Sequence, residues 1–297
     1  MVKIIVDSCS DLTGELLEKY DIDYARMNTV YKGKETPASL TWESYSPKDL
    51  YDIMRNGERV TTTQVPMEEF SRIFREYLEQ GFDIIYIGCA TKQSGSVNTG
   101  YVVAKELVKE YPGRKIECID ALNACIGEGM LGIYASELSK AGKSFEEIVE
   151  LVKSHRKNVN EFCTVETLDF LRMAGRVKAG KAFFGNLMGV KPILIAYREG
   201  TQTPMKKARG RVASFKEIVN LTKMSITCPE NQYIFLAHAD CSEDEVKMLT
   251  DMVKEEIPNV KGIIPIIIGP IIGASVGPDT IGLWSFGKEV TYVAEEA

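Results

Sequence analysis

Hydrophobic and polar positions along the first half of the chain follow two alternating periods. Three apolar runs have the length of a strand: residues 3–7, 83–90 and 115–120. The segments between them carry apolar residues three and four positions apart. In one of these segments Phe70, Phe74 and Leu78 share a helical face. Strands that alternate with helices predict a mainly parallel sheet with helices on both faces.

The second half has a different pattern. Residues 190–209 are typical of a β-hairpin that turns near Glu199 and Gly200. Ser242 followed by Glu245 predicts a helix that begins with a capping box. We therefore predict a two-domain α/β fold. Residues 1–155 form a mainly parallel α/β/α sandwich, and residues 156–297 form an α/β domain with a mixed or antiparallel sheet.

Composition favours a soluble cytoplasmic protein. Of 297 residues, 44% are hydrophobic and 26% are charged. The seven cysteines have no C-x-x-C spacing and no secretory segment precedes them, so we expect reduced thiols. Residues 262–276 are the most apolar stretch, but they include two prolines and fall short of the roughly 20 residues of a membrane span. We predict that this stretch is buried core.

Charge is unevenly distributed along the chain. Residues 172–211 contain ten Lys/Arg and one acid, a net charge of +9, whereas the whole chain carries −6. A solvated face is the simplest explanation, and an anionic ligand or an acidic partner is the functional one. A nucleic-acid partner is disfavoured because the segment has few aromatic residues and the chain is acidic.

Two short motifs suggest chemistry that their surroundings do not support. Residues 127–132 match G-x-G-x-x-G, but the segment about 20 residues further on has a helical pattern where a dinucleotide site needs a strand ending in an acid. We therefore expect glycines that let a helix pack closely. Residues 273–277 match G-x-S-x-G around Ser275, yet no histidine follows to complete a hydrolase triad. We predict a turn between two apolar strands there. His238 is predicted to be a structural histidine with satisfied hydrogen bonds, and we predict no metal site.

Several segments resemble motifs of the DegV family, in the same order along the chain. They are DSCSDL (7–12), TTTQVP (61–66), QSGSVNTG (93–100), IDALNACIGEG (119–129), LDFLRMAGRV (168–177), VKPIL (190–194), KKARG (206–210) and IGPIIGASVGPDTIG (268–282). The chain departs from the family pattern at three positions. Val65 stands in place of a proline, Ser275 in place of a histidine and Asp279 in place of a glycine.

The resemblance implies a long-chain fatty-acid carrier with no cofactor, no metal and no catalytic residue. Such a carrier presents its carboxylate to a separate fatty-acid kinase, does not span the membrane and exchanges lipid at the membrane surface. The acid would be bound between the domains, with its head group at loops of the first domain and its tail covered by the second. The implied head-group residues are Thr62, Ser94, Gly95, Arg209 and Ser275. Apart from the resemblance, Phe183, Phe184, Leu187 and Met188 are candidate tail contacts, although apolar residues at helical spacing are more often ordinary core.

Other functions remain open at this point. Arg176, within the basic segment, is expected to face an acidic partner or a phosphate. Ser94 taken alone favours a helix cap over a ligand contact, and the resemblance to the DegV family reverses that preference. One alternative is a phosphotransferase-like or hydrolase-like enzyme that uses Ser94 or Ser275, and another is a regulatory protein in which lipid is only a structural filler. Ser275 is expected to bind the acid as a neutral donor, or only through water.

Overall fold

The computed structural model describes residues 1–177 and 189–292, which form two compact units. The first unit contains Met1–Ser44, Val60–Lys157 and Gly269–Ile271. The second contains the described residues of Tyr45–Arg59, Asn158–Ile268 and Ile272–Ala297. Neither unit is one continuous segment. Sequence analysis had assigned residues 45–59 to the first domain and residues 269–271 to the second, and the structure places both in the opposite unit.

The elements are given in chain order. The strands are β1 (Val2–Asp7), β2 (Ile22–Ala25), β3 (Asn28–Tyr31), β4 (Lys34–Pro37), β5 (Thr61–Thr63), β6 (Asp83–Gly88), β7 (Ile116–Asp120), β8 (Val159–Thr164), β9 (Val190–Ala196), β10 (Gln202–Arg209), β11 (Tyr233–His238), β12 (Gly262–Ile267) and β13 (Ile281–Phe286). The helices are α1 (Gly14–Tyr20), α2 (Pro47–Arg55), α3 (Met67–Glu79), α4 (Ser96–Glu110), α5 (Ile126–Lys140), α6 (Phe145–His155), α7 (Asp169–Ala174), α8 (Arg211–Ser225), α9 (Glu243–Glu256) and α10 (Pro270–Val276).

A four-stranded sheet in the order β2-β1-β6-β7 is the centre of the first unit, and all its strands are parallel. Helix α3 packs against α4, while α5 packs against β1 and α6. On the α3 side, Tyr86 meets Phe70 edge-on with ring centroids 4.9 Å apart. The carboxyl ends of the parallel strands lie at one edge of the sheet, where such folds bind ligands.

Sequence analysis missed a small antiparallel sheet, β4-β3-β5, in the same unit. The β3–β4 hairpin turns through Lys32 and Gly33, whose φ values are +49° and +77°. Two consecutive positive φ values are typical of a tight type I′ turn. The strands are mostly polar and only partly buried, so the hydrophobic pattern does not indicate them.

The second unit contains a six-stranded mixed sheet in the order β10-β9-β8-β13-β11-β12. The predicted hairpin is β9–β10, and among the strand pairs of this sheet in the described residues only β11 and β12 are parallel. Helix α9 begins at Ser242 with both bonds of the predicted capping box. Helices α8 and α9 supply Phe215, Ile218, Leu249 and Val253 to the core cluster of this unit. The predicted fold class is confirmed.

Two expectations for residues 262–286 were wrong. Strand β12 is an edge strand with Ile267 37% exposed, so it is not fully buried core. Pro265 has no backbone N–H to donate to a neighbouring strand. An edge strand tolerates this because one of its two sides has no neighbouring strand. Between β12 and β13 the chain forms helix α10 rather than a simple turn. Among the described residues, no helix combines the length and apolar character needed to cross a membrane.

Candidate ligand-binding loops

The carboxyl ends of β1 and β6 are joined by a buried carboxylate. Asp7 ends β1 and accepts hydrogen bonds from Cys9 N (2.8 Å), Cys89 N (3.3 Å) and the Tyr86 hydroxyl (2.7 Å). Burial raises the pKa of Asp7, and these donors oppose that rise. The loop after β6, which leads to Ser94 and α4, is therefore held to the loop after β1.

Ser94 lies at the start of α4 and is half-buried. Its Oγ accepts a hydrogen bond from Ser96 N at 3.2 Å and lies 3.0 Å from Ser96 Oγ. Its own N–H donates to Ala90 O at 3.0 Å. The hydroxyl thus serves the first turn of the helix, as expected for a cap. Because a hydroxyl both accepts and donates, this bond leaves Ser94 able to give its proton to a ligand.

The N-terminus of α4 suits an anion. The helix is 15 residues long, carries no acidic residue in its first turn, and has no side-chain cap on the N-cap residue Gly95. The positive end of the helix dipole and the free N–H groups of a first turn attract carboxylates and phosphates. Gly95 also permits close approach: a Cβ there would lie 2.0 Å from Gln64 Oε1.

Thr62 belongs to the strand–loop segment next to this helix. It lies in β5 opposite Thr29 and is half-buried. In the loop that follows, Gln64 Nε2 donates to Thr99 Oγ1 at 2.8 Å. The structure therefore brings the Thr62 segment beside the start of α4, with Gln64 between them. Sequence reasoning did not single out Gln64, although it stands within the motif segment 61–66.

Val65 explains one departure from the family pattern. Its backbone N–H donates to Ser96 Oγ at 3.1 Å, and both residues are buried. A proline at this position has no N–H and could not make the bond. The hydroxyl of Ser96 thus connects the β5 loop to Ser94. Sequence reasoning also missed this serine, because only tertiary packing places its hydroxyl beside Val65 N.

Arg209, Arg176 and Ser275 belong to the second unit. Arg209 ends β10 opposite Val190 and is exposed, and its guanidinium makes no hydrogen bond or ion pair with another described residue. Arg176 follows α7, is exposed, and donates through Nη1 to Ala174 O. Ser275 is half-buried in α10, which ends before Gly277 at φ +80°. The four candidate tail contacts, Phe183, Phe184, Leu187 and Met188, lie outside the described residues.

The third departure, Asp279, is accommodated by an ion pair. Its φ is +62°, a left-handed conformation that ordinarily favours glycine. The Asp279 carboxylate accepts a hydrogen bond from Arg55 Nη2 at 2.8 Å, and the same guanidinium pairs with Asp240 at 2.6 Å. The bridge joins α2 to the loop between β11 and α9, which contains Asp240, and to the loop between α10 and β13, which contains Asp279. Asp279 therefore has a structural role here.

The glycines of residues 127–132 have a structural role. A Cβ at Gly129 would lie 2.6 Å from Ser10 O, and one at Gly132 would lie 2.8 Å from a Val6 methyl group. These glycines let α5 pack closely on β1 and its loop, as the sequence predicted. His238 differs from expectation: its Nδ1 is buried and has no hydrogen-bond partner among the described residues. Burial lowers the pKa of this histidine.

Comparison with known proteins decides the family. The DegV family model, described as an uncharacterised protein of that family, matches residues 1–288. The chain belongs to the DegV family. A DegV domain-containing protein of Clostridium perfringens is 33% identical over 284 residues, which cover 96% of this chain and 97% of that protein.

Solved DegV structures share the fold. A structure that describes fatty-acid binding by a DegV family protein of Thermus thermophilus is 26% identical, with a TM-score of 0.85, and covers 96% of this chain and 99% of the other. A stearic-acid-binding protein of Eubacterium ventriosum has the same TM-score at 23% identity, with 97% and 99% covered. The family resemblance read from the sequence is confirmed.

Proposed function

We propose that this protein is a cytoplasmic carrier that binds one long-chain fatty acid and presents its carboxylate to a separate kinase. The observation that carries the proposal is the pairing of the Thr62 and Ser94 loops at the start of α4, in a DegV chain whose Thermus relative is described as binding fatty acid. Within the described part of the chain none of the seven cysteines forms a disulfide, as in a reducing compartment.

The two ends of a fatty acid need different surroundings. Each CH₂ group buried from water contributes about 0.8 kcal/mol, so a sixteen-carbon tail supplies roughly 10 kcal/mol before ordering costs. The carboxylate must keep hydrogen-bond donors when it leaves water. The Ser94 and Thr62 hydroxyls, together with the N-terminal dipole of α4, supply donors of this kind. Arg209 is the proposed cationic contact.

The carrier itself contributes no chemical step in this proposal. The kinase transfers the γ-phosphoryl group of ATP to a carboxylate oxygen: the bond from phosphorus to that oxygen forms as the bond to ADP breaks. A serine nucleophile needs a base to remove its proton. The hydrogen bonds of Ser94 go to Ala90 and Ser96, neither of which is a base, and this supports a non-catalytic role.

Native mass spectrometry of the purified protein tests the proposal. We expect one fatty acid per chain, and we expect Ser94→Ala and Thr62→Val each to weaken fatty-acid affinity by about tenfold, the value of one hydrogen bond to a charged group. Thr61→Val is the matched control, since side chains alternate along β5 and position 61 points away from the face of Thr62. A protein that emerges without lipid and takes up none from fatty-acid vesicles overturns the proposal.

The kinase step has its own test. With a bacterial fatty-acid kinase and ATP, we expect acyl-phosphate to form only when the loaded protein is present, and to fall with Ser94→Ala. Formation of acyl-phosphate or release of phosphate by the protein without kinase would instead support the enzymatic alternative. Loss of the kinase reaction with fatty-acid binding intact would limit the function to binding.

A further inference from the structure

Three side chains with metal-binding atoms meet beneath the ends of β1 and β6. Cys9 lies in the loop after β1, Cys89 follows β6, and Glu128 lies in the first turn of α5. Their sulfur and carboxylate ligand atoms all lie within 4.8 Å of one another. The three residues are 3%, 2% and 0% exposed. We propose that Cys9, Cys89 and Glu128 bind a zinc ion.

The donor set selects the metal. Two thiolates and a carboxylate match the ligands of Zn²⁺, which binds sulfur at about 2.3 Å and carboxylate oxygen at about 2.1 Å. Around a tetrahedral ion, two such sulfur atoms stand roughly 3.8 Å apart. The present spread of up to 4.8 Å therefore needs only small rotations of the side chains to close on an ion. Hard cations such as Mg²⁺ prefer oxygen ligands and fit this set poorly.

An unpartnered oxygen is the second observation. Glu128 Oε1 accepts a hydrogen bond from Asp7 N at 3.0 Å, whereas Oε2 is buried with no hydrogen-bond partner among the described residues. A protonated Glu128 would bury an O–H without an acceptor, and an ionised one would bury a charge without a donor. Either state is costly in a protein interior. A cation shared with two thiolates satisfies this oxygen.

The surrounding structure already holds the ligands in place. Asp7 fixes both cysteine backbones through the N–H groups of Cys9 and Cys89. Met27 Sδ lies 3.4 Å from Cys9 Sγ, so a further soft donor stands at the rim of the cluster. Supporting contacts of this kind orient ligands around metal ions in proteins.

Neither the family resemblance nor the proposed function uses this cluster. Sequence analysis predicted no metal site, and these three ligands are far apart in sequence and share no spacing motif. Only the parallel pairing of β1 with β6, and the packing of α5 on β1, brings them together. Since the ligands are buried, the ion must enter as the first unit folds, so its binding contributes to folding stability.

The test measures metal in the full-length protein. Protein expressed with zinc in the medium is analysed by plasma mass spectrometry, and denatured protein is refolded with Co²⁺ as a spectroscopic substitute for Zn²⁺. We expect about one ion per chain and a sulfur-to-Co²⁺ charge-transfer absorption. Cys9→Ser and Cys89→Ser should each lose both signals. Glu128→Gln should weaken metal retention while preserving the side-chain shape.

Cys118→Ser is the matched control, because Cys118 lies in β7 of the same sheet and outside the cluster. It should keep the full metal content. Should the Cys9 or Cys89 variants fail to fold, the wild-type metal content and Co²⁺ spectrum still decide. Wild-type protein with neither zinc nor a charge-transfer absorption overturns the proposal and leaves a pair of buried thiols. Metal content unchanged in folded Cys89→Ser also overturns it.

Discussion

The Ser94 hydroxyl accepts a hydrogen bond at the start of α4, and its proposed role as a ligand contact is compatible with that bond. Its oxygen already accepts the Ser96 N–H, and its proton remains able to turn toward an incoming carboxylate. The roles of helix cap and ligand contact, between which sequence analysis left the choice open, therefore do not exclude each other. A residue that does both is held in position before the ligand arrives, which lowers the ordering cost of binding.

Ser275 is the residue where this chain departs most in chemistry from the family pattern. A serine cannot gain a charge near neutral pH, whereas imidazole can. We expect Ser275→His to tighten fatty-acid binding about tenfold, and more strongly below about pH 6.5, where imidazole is charged. Ser275→Asn, a neutral side chain of similar size, should give no such pH dependence in the same titration. If Ser275→His changes neither fatty-acid affinity nor kinase-dependent phosphorylation, position 275 is a bystander.

Glu161 in β8 makes stability depend on pH. It is 4% exposed, and burial raises its pKa from 4.5 to about 7, although Gln202 Nε2 donates to it at 2.6 Å. Between these values the unfolded chain releases the proton and the folded chain keeps it. This residue's contribution to stability is therefore lost as pH rises from about 4.5 through about 7.

Glu161→Gln should remove that loss. Between about pH 5 and about pH 8, we expect the free energy of unfolding of the wild type to fall by about 2–3 kcal/mol relative to the variant. Urea denaturation of both proteins at several pH values measures the difference between their free energies of unfolding. The titration of other groups is common to both proteins and cancels in this difference. Parallel pH profiles for the two proteins would contradict the assignment.

At the scale of elements, the loop after β5 is hydrogen-bonded to α4 at two points. The β5–α3 loop reaches the helix through Gln64 to Thr99 and through Val65 to Ser96. Gly95 has ordinary helical backbone angles, φ −83° and ψ −2°, so its own conformation does not require glycine. What excludes a side chain at Gly95 is the Gln64 amide, which occupies the position that a Cβ would take.

Gly95→Ala tests this coupling. The new methyl group should displace Gln64 and break its bond to Thr99, which lowers the free energy of unfolding by about 1 kcal/mol. In a Gln64→Ala background the same substitution should cost much less, because the obstructing amide is already gone. A double-mutant cycle by urea denaturation measures the coupling. Equal costs in both backgrounds would show that Gln64 is not the obstacle.

At the scale of the whole molecule, charge is concentrated in one stretch of sequence. Residues 172–211 carry +9 in a chain whose total is −6. Several of these cations are held in local ion pairs, such as Lys191 with Glu166 and Arg211 with Glu245. Arg209 is exposed and unpaired within the part of the chain that the structure describes. Such a distribution favours recognition of an acidic surface or a phosphate.

Arg176→Glu tests whether this segment meets the partner. We expect the charge reversal to slow association with a fatty-acid kinase about tenfold at low salt, with the difference shrinking as salt rises. Lys216→Glu, an exposed reversal on α8 outside the segment, is the matched control. Surface plasmon resonance at several salt concentrations measures both variants. Unchanged association at low salt would exclude Arg176 from the interface.

Sequence by itself determined the fold class, the family and most elements of this protein. Strand and helix periods are local, so β1, β6, β7, the β9–β10 hairpin and the α9 capping box could be predicted. The positions of Thr62, Ser94 and Gly95 followed from matched motifs. Their roles as ligand contacts stay predictions.

Only tertiary structure decided which side chains meet. The polar strands β3, β4 and β5 form a sheet by pairing with one another. The pattern of hydrophobic residues does not indicate this pairing. The placement of Gln64 over Gly95, the bond from Val65 to Ser96, and the cluster of Cys9, Cys89 and Glu128 all join segments distant in sequence. Such contacts depend on strand order and helix packing, because a residue's own sequence neighbours do not specify its distant partners.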